Sequence, residues 1–559
     1  MFCFLIAKII FSFLIRLANT RWLSATEVSR LEAEGLWVLL KNYDSRIGVT
    51  KTSGEDQSYI SSMTSSIVAL ALARHAPISA MQELSRVLSY QRPSGLIPAF
   101  ILTGDPSRVT IIQESGIQLP SVAFFWNTTT PALAALPIHA AIALKIYEAC
   151  PDRRRAGLWA VEIAPKLKRY HEYLHRQRTL PNSNLVRLVH PWETSALRSN
   201  LKSVVPLNST NQDTKTLNDL AANPDAQLQL ARCLIDTEDD SVTACSFVAI
   251  DVEFNAILAL SEAALTELCR ALERRKLPRP HDYQGDISDY DLNALWTFDG
   301  YRSRYSIINK VLIELNHTII SAIPLLADLA PLLLSSLSPE KRDPLVGQLL
   351  LKEPAQKGET SFACFGSAPF PDLACHWTGS ELFWYFDAVT RPIGNFFVER
   401  GLRHSRQDAL ADWLRDSTLF LLHQQTSQPP MQPPPLECWK AREEAQKQLF
   451  SENFIDENDT SIYSIAACAL PDLTQAFFPC YNQLGIGFGN NRSALSAAVA
   501  VALITPDATF NDYPDAPVSR SMLFTLIAFE LGVAFLVAVT CFTTNLLMIR
   551  ALGSNDGEK

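Results

Sequence analysis

Apolar residues recur at three- and four-residue spacing through most of the chain, the signature of helices that bury one face. The spacing predicts helices over 29–43, 60–75, 79–90, 131–149, 156–175, 251–275, 306–325, 379–401, 406–424 and 492–505. Few strictly alternating, strand-like runs compete with them. Pro131, Pro137, Pro151, Pro278 and Pro280 punctuate the pattern, and the run Gln428 to Pro435 must be an exposed, extended loop. Ten helices in pairs need an arrangement in which each hides a face, either a closed ring of helical hairpins or an open solenoid. The sequence has no short repeat, which disfavours the solenoid.

The two ends are apolar throughout, unlike the amphipathic middle. Phe2 to Leu17 is hydrophobic apart from Lys8 and Arg16, so residues 1–20 read as a signal peptide or signal anchor. Leu531 to Ile549 carries no charge and would span about 30 Å as a helix, enough for a bilayer core. The expected organisation is therefore a helical domain over 30–505, a linker over 506–521, a transmembrane helix over 522–549 and a polar tail over 550–559. A single-pass protein whose main domain lies in the secretory lumen or outside the cell follows from this.

Composition adds limits. A hydrophobic fraction of 47% over 559 residues suits one large core with appendages. The net charge of -9 argues against a nucleic-acid partner, because no basic run exceeds Arg153-Arg154-Arg155 or Arg274-Arg275-Lys276. Those runs read as helix ends or solvated faces. Sequons at Asn127, Asn208, Asn316, Asn458 and Asn491 agree with a secretory placement. The 11 cysteines form no C-x-x-C pair and no His/Cys cluster at zinc spacing, so neither a metal nor a cofactor is expected. Cys364 with Cys375 would make a plausible short disulfide loop. Gly485, Gly487 and Gly489 lack the Lys-Ser/Thr ending of a phosphate loop and read as a tight turn.

The richest chemistry lies in Leu188-Val189-His190-Pro191-Trp192-Glu193. An aromatic face stacks on a pyranose ring and a neighbouring carboxylate exchanges a proton at a glycosidic oxygen, so Trp192 with Glu193 suits carbohydrate. A buried Trp beside a Glu is equally at home in any large helical domain.

Motif order adds a family resemblance. Pro137-Ile138-His139-Ala140, Pro165 to His171, His190-Pro191-Trp192-Glu193, Asp251 to Leu258, and Tyr385 with Pro392, Ile393 and Asn395 fall in the order seen in mannosylglycerate-hydrolase-like glycosidases, relatives of processing α-glucosidase I in glycoside hydrolase family 63. The resemblance covers roughly 30–505 and implies an all-α fold, an (α/α)6 barrel, with His190, Trp192, Tyr385 and Asn395 binding substrate. Phe450-Ser451-Glu452 is similar to the strip that carries the family's catalytic base, which makes Glu452 the matching carboxylate.

The departures are as informative. In the same register the family's catalytic Asp falls at Leu197, which has no proton to give, and its Gln-Trp-x-Trp-Asp-Ser strip falls at Tyr59 to Ser65, which lacks both tryptophans and the carboxylate. Three readings follow. One is a membrane-anchored glycoside hydrolase-like protein acting on α-linked manno- or glucosides by inversion, with Glu193 and Glu452 as its carboxylates. The second is an inactive glycan-binding pseudoenzyme, and the third a helical scaffold unrelated to sugar.

Overall fold

The computed structural model describes residues 23–52, 59–102, 130–180, 183–193, 230–234, 242, 245–280, 292–297, 300–307, 319–320, 325–349, 360–362, 369–372, 374–377, 382–383, 390–423, 434–450, 477, 480–481, 487–488 and 493–505. The chain divides into two units, Trp22–Phe510 and a second made of Met1–Arg21 with Asn511–Lys559, and only the first contains described residues. The expected signal segment, linker, membrane helix and tail, all five sequon asparagines and Cys364 lie outside the described residues, so the Cys364–Cys375 pairing does too. Among the described residues no helix is long and apolar enough to cross a membrane.

The helices are α1 (Ala25–Lys41), α2 (Ser62–His75), α3 (Pro77–Ser89), α4 (His139–Ala149), α5 (Arg153–Tyr173), α6 (Val252–Arg274), α7 (Pro339–Leu349), α8 (Pro392–His404), α9 (Asp408–His423), α10 (Leu436–Phe450) and α11 (Ala494–Ile504). Among the described residues six elements close a ring: α2 packs on α4, α4 on α6, α6 on the 3-10 segment Leu326–Leu333, that segment on α8, α8 on α11, and α11 back on α2. Ring members are buried nearly all round, α2 from Ser62 to Ala73 and α11 from Ala494 to Leu503. Helices that lie outside keep one wet face: α1 covers α11, α3 covers α2, α5 covers α4 and α6, and α9 covers α8. Gly35 lets α1 approach α11, since a Cβ there would stand 2.8 Å from Val501 Cγ2.

Three sequence expectations are corrected. The stretch 306–325 does not form one continuous helix: Arg304–Ile307 and Ile319–Ile320 are strands, in one sheet with Phe247–Ile250. Ile307, Ile319 and Ile320 are β-branched and favour the pleat over a helix, while their spacing imitated a helical face. The predicted 131–149 helix begins only at His139, because Pro131 and Pro137 hold the preceding strip extended. The 379–401 stretch holds the strand Leu382–Phe383 and then α8, which starts at Pro392; the residue before a proline is pushed out of the helical region, and Arg391 has φ -107° and ψ 126°. Of the glycine run, Gly487 lies in the strand Gly487–Phe488, which pairs antiparallel with Cys480–Tyr481, and Gly485 and Gly489 lie outside the described residues. A disulfide joins Cys233 to Cys245.

Extended segments link the starts of the ring elements into a hydrogen-bonded collar. Ser62 N donates to Ala99 O, Ala99 N to Leu133 O, Leu188 and Ala249 exchange backbone bonds, and Leu326 N donates to Asp372 O. Side chains complete it. Val252 N donates to Ser303 Oγ (3.0 Å), Ser303 Oγ to Asp328 Oδ1 (3.0 Å), and Leu325 N to Asp328 Oδ2 (3.0 Å). Two asparagines, each four residues past an N-cap, do one job twice. Asn255 accepts from Val186 N at 2.7 Å and donates to Val186 O and Asp251 O; Asn395 accepts from Phe370 N at 2.9 Å and donates to Phe370 O and Arg391 O. Each thus pins an extended strand to a ring helix. Either Asn255→Ala or Asn395→Ala leaves buried backbone groups unpaired, and each should lower the unfolding free energy in urea by about 2–4 kcal/mol.

Candidate functional site

The strip from Leu188 to Glu193 is held from both sides. Its start pairs with Ala249 at the end of the strand that precedes α6, and it then turns into the 3-10 segment Pro191–Glu193. Behind it, α5 runs on as a π-turn, Leu174–Arg178, and a bridge between Thr179 and Val186 folds the chain back. That geometry brings Arg178 to Glu193, fifteen residues away in sequence.

The Glu193 carboxylate is completely engaged. Its Oε1 accepts from Ala134 N (2.6 Å) and Arg178 Nη1 (3.2 Å); its Oε2 accepts from Val189 N (2.8 Å) and Arg178 Nη1 (3.1 Å). A carboxylate offers about four lone-pair directions, and all are taken. Both side chains of the pair are 0% exposed. Arg178 also donates to Ala132 O (3.2 Å) and Tyr173 Oη (3.2 Å). Burial works against its charge, but the negative Glu193, helped by Tyr173, outweighs burial and raises its pKa. The pair therefore ties the strip Ala132–Ala134, the π-turn and the 3-10 segment into one unit.

His190 is buried, and its Nδ1 accepts from Trp192 N at 3.1 Å, which places the neutral ring's proton on Nε2. The His190 and Trp192 rings meet edge to face at 4.8 Å, and Trp192 is also buried. The structure so brings together His190, Trp192 and Glu193, while the amide of Asn395 is committed to the backbone of Phe370 and Arg391 on another part of the collar. Beside Asn395, Arg391 Nε donates to Asp372 Oδ2 at 2.5 Å. Tyr385, Leu197 and Glu452 lie outside the described residues.

Sequence reasoning missed Arg178. The signal was present, since a charged residue following the apolar Leu174 within a buried hairpin needs a partner, but the partner lies across a turn that no spacing rule predicts. A second feature it missed is a histidine group behind α4. His139 and His171 are buried, and burial pulls both down to about 3; the nearby His175 and His139 add to the effect on His171. Neither ring nitrogen of His139 has a hydrogen-bond partner, and its ring packs edge to face on Tyr170 at 5.9 Å. His175 Nε2 lies 2.5 Å from Glu262 Oε1. Asp328, in the collar, is raised to about 6 by burial against the pull of Arg302 and its donors. Among the described residues no His/Cys/Asp/Glu group could hold a metal ion.

Residues 57–428 match the mannosylglycerate hydrolase MGH1-like glycoside hydrolase domain. The chain belongs to this glycoside hydrolase family. It is similar to the mannosylglycerate hydrolase of Rubrobacter radiotolerans, 26% identical over 38% of the chain and 52% of that enzyme. It is also similar to mannosylglycerate hydrolase MGH1 of Selaginella moellendorffii, 26% identical over 23% of the chain and 26% of the relative. The chain thus spans about half the length of the first relative and about a quarter of the second. Among solved structures, the family 63 mannosylglycerate hydrolase of Thermus thermophilus in complex with glucose superposes with a TM-score of 0.57 at 21% identity, over 84% of this chain and 99% of that one. The same Thermus enzyme with Tris and D-glycerate gives 0.56 at 20% identity. These likenesses, with the closed ring, establish the (α/α)6 barrel of this glycoside hydrolase family.

Two outcomes follow from the site. Glu193→Gln leaves the Arg178 charge buried without its counter-ion and should lower stability in urea by about 3–5 kcal/mol, whereas Arg178→Met with Glu193→Gln recovers much of that loss. In the second, the sign comes from the histidines. A folded-state pKa below the unfolded value of about 6.5 means the unfolded chain takes up protons that the native state refuses, so stability falls as pH drops from about 6.5 towards 3. His139→Phe keeps the ring contact and removes the titration; it should flatten the urea-derived stability profile by roughly 1 kcal/mol per pH unit between about pH 6 and 4 relative to wild type.

Proposed function

We propose that this protein is a membrane-anchored, glycoside-binding member of the glycoside hydrolase family that has lost its ordinary proton donor. The observation that carries the reading is the state of Glu193. With Leu197 standing at the family's acid position, Glu193 is the next carboxylate along the strip, and a carboxylate fixed by Arg178, Ala134 N and Val189 N has no lone pair or proton for a glycosidic oxygen. Glu193 then acts as a frame for the sugar pocket, and His190 and Trp192 are held by it at the wall. Inverting hydrolysis needs an acid and a base about 6.5–9.5 Å apart, and on this reading only the base position, Glu452, remains.

The ligand class is an α-linked manno- or glucoside, supported by the family and by the names of the relatives. Anchoring rests on the uncharged stretch Leu531 to Ile549, and a luminal or extracellular main domain on the sequons. A second reading, residual inverting hydrolysis with Glu452 activating water, is favoured by the match of Phe450-Ser451-Glu452 to the family's base strip.

One measurement separates them. The full chain, purified in detergent, is titrated with mannosylglycerate and α-linked glucosides by calorimetry and followed in parallel for released sugar. Saturable binding with no turnover, unchanged in Glu452→Gln, is the expected result. Turnover that Glu452→Gln abolishes selects the hydrolase, and turnover that survives Glu452→Gln sinks the assignment of the carboxylates.

A further inference from the structure

We infer that the protein carries a second, lipid-binding surface: the ridge formed by the start of α5 and the end of α6 docks on anionic phospholipid headgroups of the leaflet on the main domain's own side. Gly157 packs against Leu277, where a Cβ would stand 2.7 Å from Leu277 Cδ1, so the two chain segments run side by side. Arg155 and Arg154 lie two and three residues before Gly157, and Lys276 and Arg275 one and two before Leu277, so this approach brings the two cationic helix ends together. All four are exposed, and among the described residues no ion pair neutralises them, while the neighbouring Arg270 and Arg274 share Glu267 and Arg279 takes Glu273. The whole chain is acidic, at -9, so the ridge stands against the charge of the molecule.

Local physics disfavours cations at the start of α5, and at the end of α6 it disfavours a side chain at Lys276 but not its charge. Arg153, Arg154 and Arg155 occupy the first turn of α5, where the helix dipole repels positive charge, and Asp152 answers only through its side-chain bonds to the backbone N of Arg154 and Arg155. The end of α6 is a Schellman turn, with Lys276 N donating to Glu273 O and Leu277 N to Leu272 O. Its left-handed position, which favours glycine, is Lys276 at φ 56°.

A fifth residue decides the partner. Leu158 lies three and four residues after Arg155 and Arg154, on their face of α5, and is 58% exposed, one of two exposed large hydrophobics among the described residues. Cations around an outward leucine match an interfacial lipid surface, where the apolar side chain enters below the headgroups and each cation meets a phosphate or carboxylate. The ridge is also remote from the sugar site. Asp251 caps the start of α6 beside the His190–Glu193 strip, and the 23 residues of the helix put its far end about 35 Å away. The inference does not rest on the proposed sugar ligand.

The test is hydrogen exchange of residues 152–160 and 272–280 in the full chain, carried in nanodiscs of phosphatidylcholine alone or with about 30% phosphatidylserine. Exchange should slow several-fold only in the anionic discs, return to the neutral-disc rate in high salt, and lose the lipid response in Arg154→Glu with Lys276→Gly. Both substitutions suit their local backbone, so that variant should melt no lower than wild type; a merely structural role would give the opposite. If the chain does not enter discs, the anchoring proposal fails separately, and flotation with added vesicles of the same two compositions reads the ridge alone. Equal exchange or flotation in both lipids, or a response that survives the double variant, overturns the inference.

Discussion

The buried pair of Arg178 and Glu193 is the interaction on which this end of the barrel depends. Two charges removed from water are tolerated only when geometry and extra hydrogen bonds replace hydration, and here every acceptor direction of Glu193 is filled. The arrangement fixes three separate chain segments at once, with Ala132 and Ala134 on one side, Tyr173 behind and Val189 in front. A pair so fully satisfied contributes specificity of register as much as stability.

The collar repeats this logic at other points of the ring. Asn255 and Asn395 stand at equivalent places on α6 and α8 and hold Val186 and Phe370 in the same way, each also capping the carbonyl four residues back. Asp328 reaches Ser303 and Leu325. Barrel closure by apolar packing alone would leave the extended segments before each helix with unpaired backbone groups, and short polar side chains on the first turn are the simplest way to reach them.

Legibility follows from this division. The helices were readable wherever apolar periodicity was the cause, as in α1, α5, α6 and α9; Asp251 was readable as a helix start only through the family resemblance, and in the structure it is the N-cap, accepting from Phe254 N at 2.8 Å. Strands at 304–307 and 319–320 were not, because short buried strands and helical faces share apolar spacing over so few residues. The Leu326–Leu333 segment closes the ring as a 3-10 element around Pro331, a departure that periodicity does not register. At the site, His190, Trp192 and Glu193 were legible as a group, but the pairing of Glu193 with Arg178 depends on a hairpin closed by Thr179 and Val186, and such non-local closure leaves no mark in spacing.

The motif residues that carried the family resemblance prove to have structural tasks. Glu193 holds Ala134 and Val189, Asn395 holds Phe370, Asp251 caps α6, and Pro392 starts α8. Selection for the fold alone would keep all of them, whether or not a glycoside is ever cleaved. Resemblance built on these positions therefore tracks the barrel, and chemistry must be read at positions that the fold does not require. Leu197 and Glu452 lie outside the described residues, and they are the positions at which the proposed loss of the acid has to be tested.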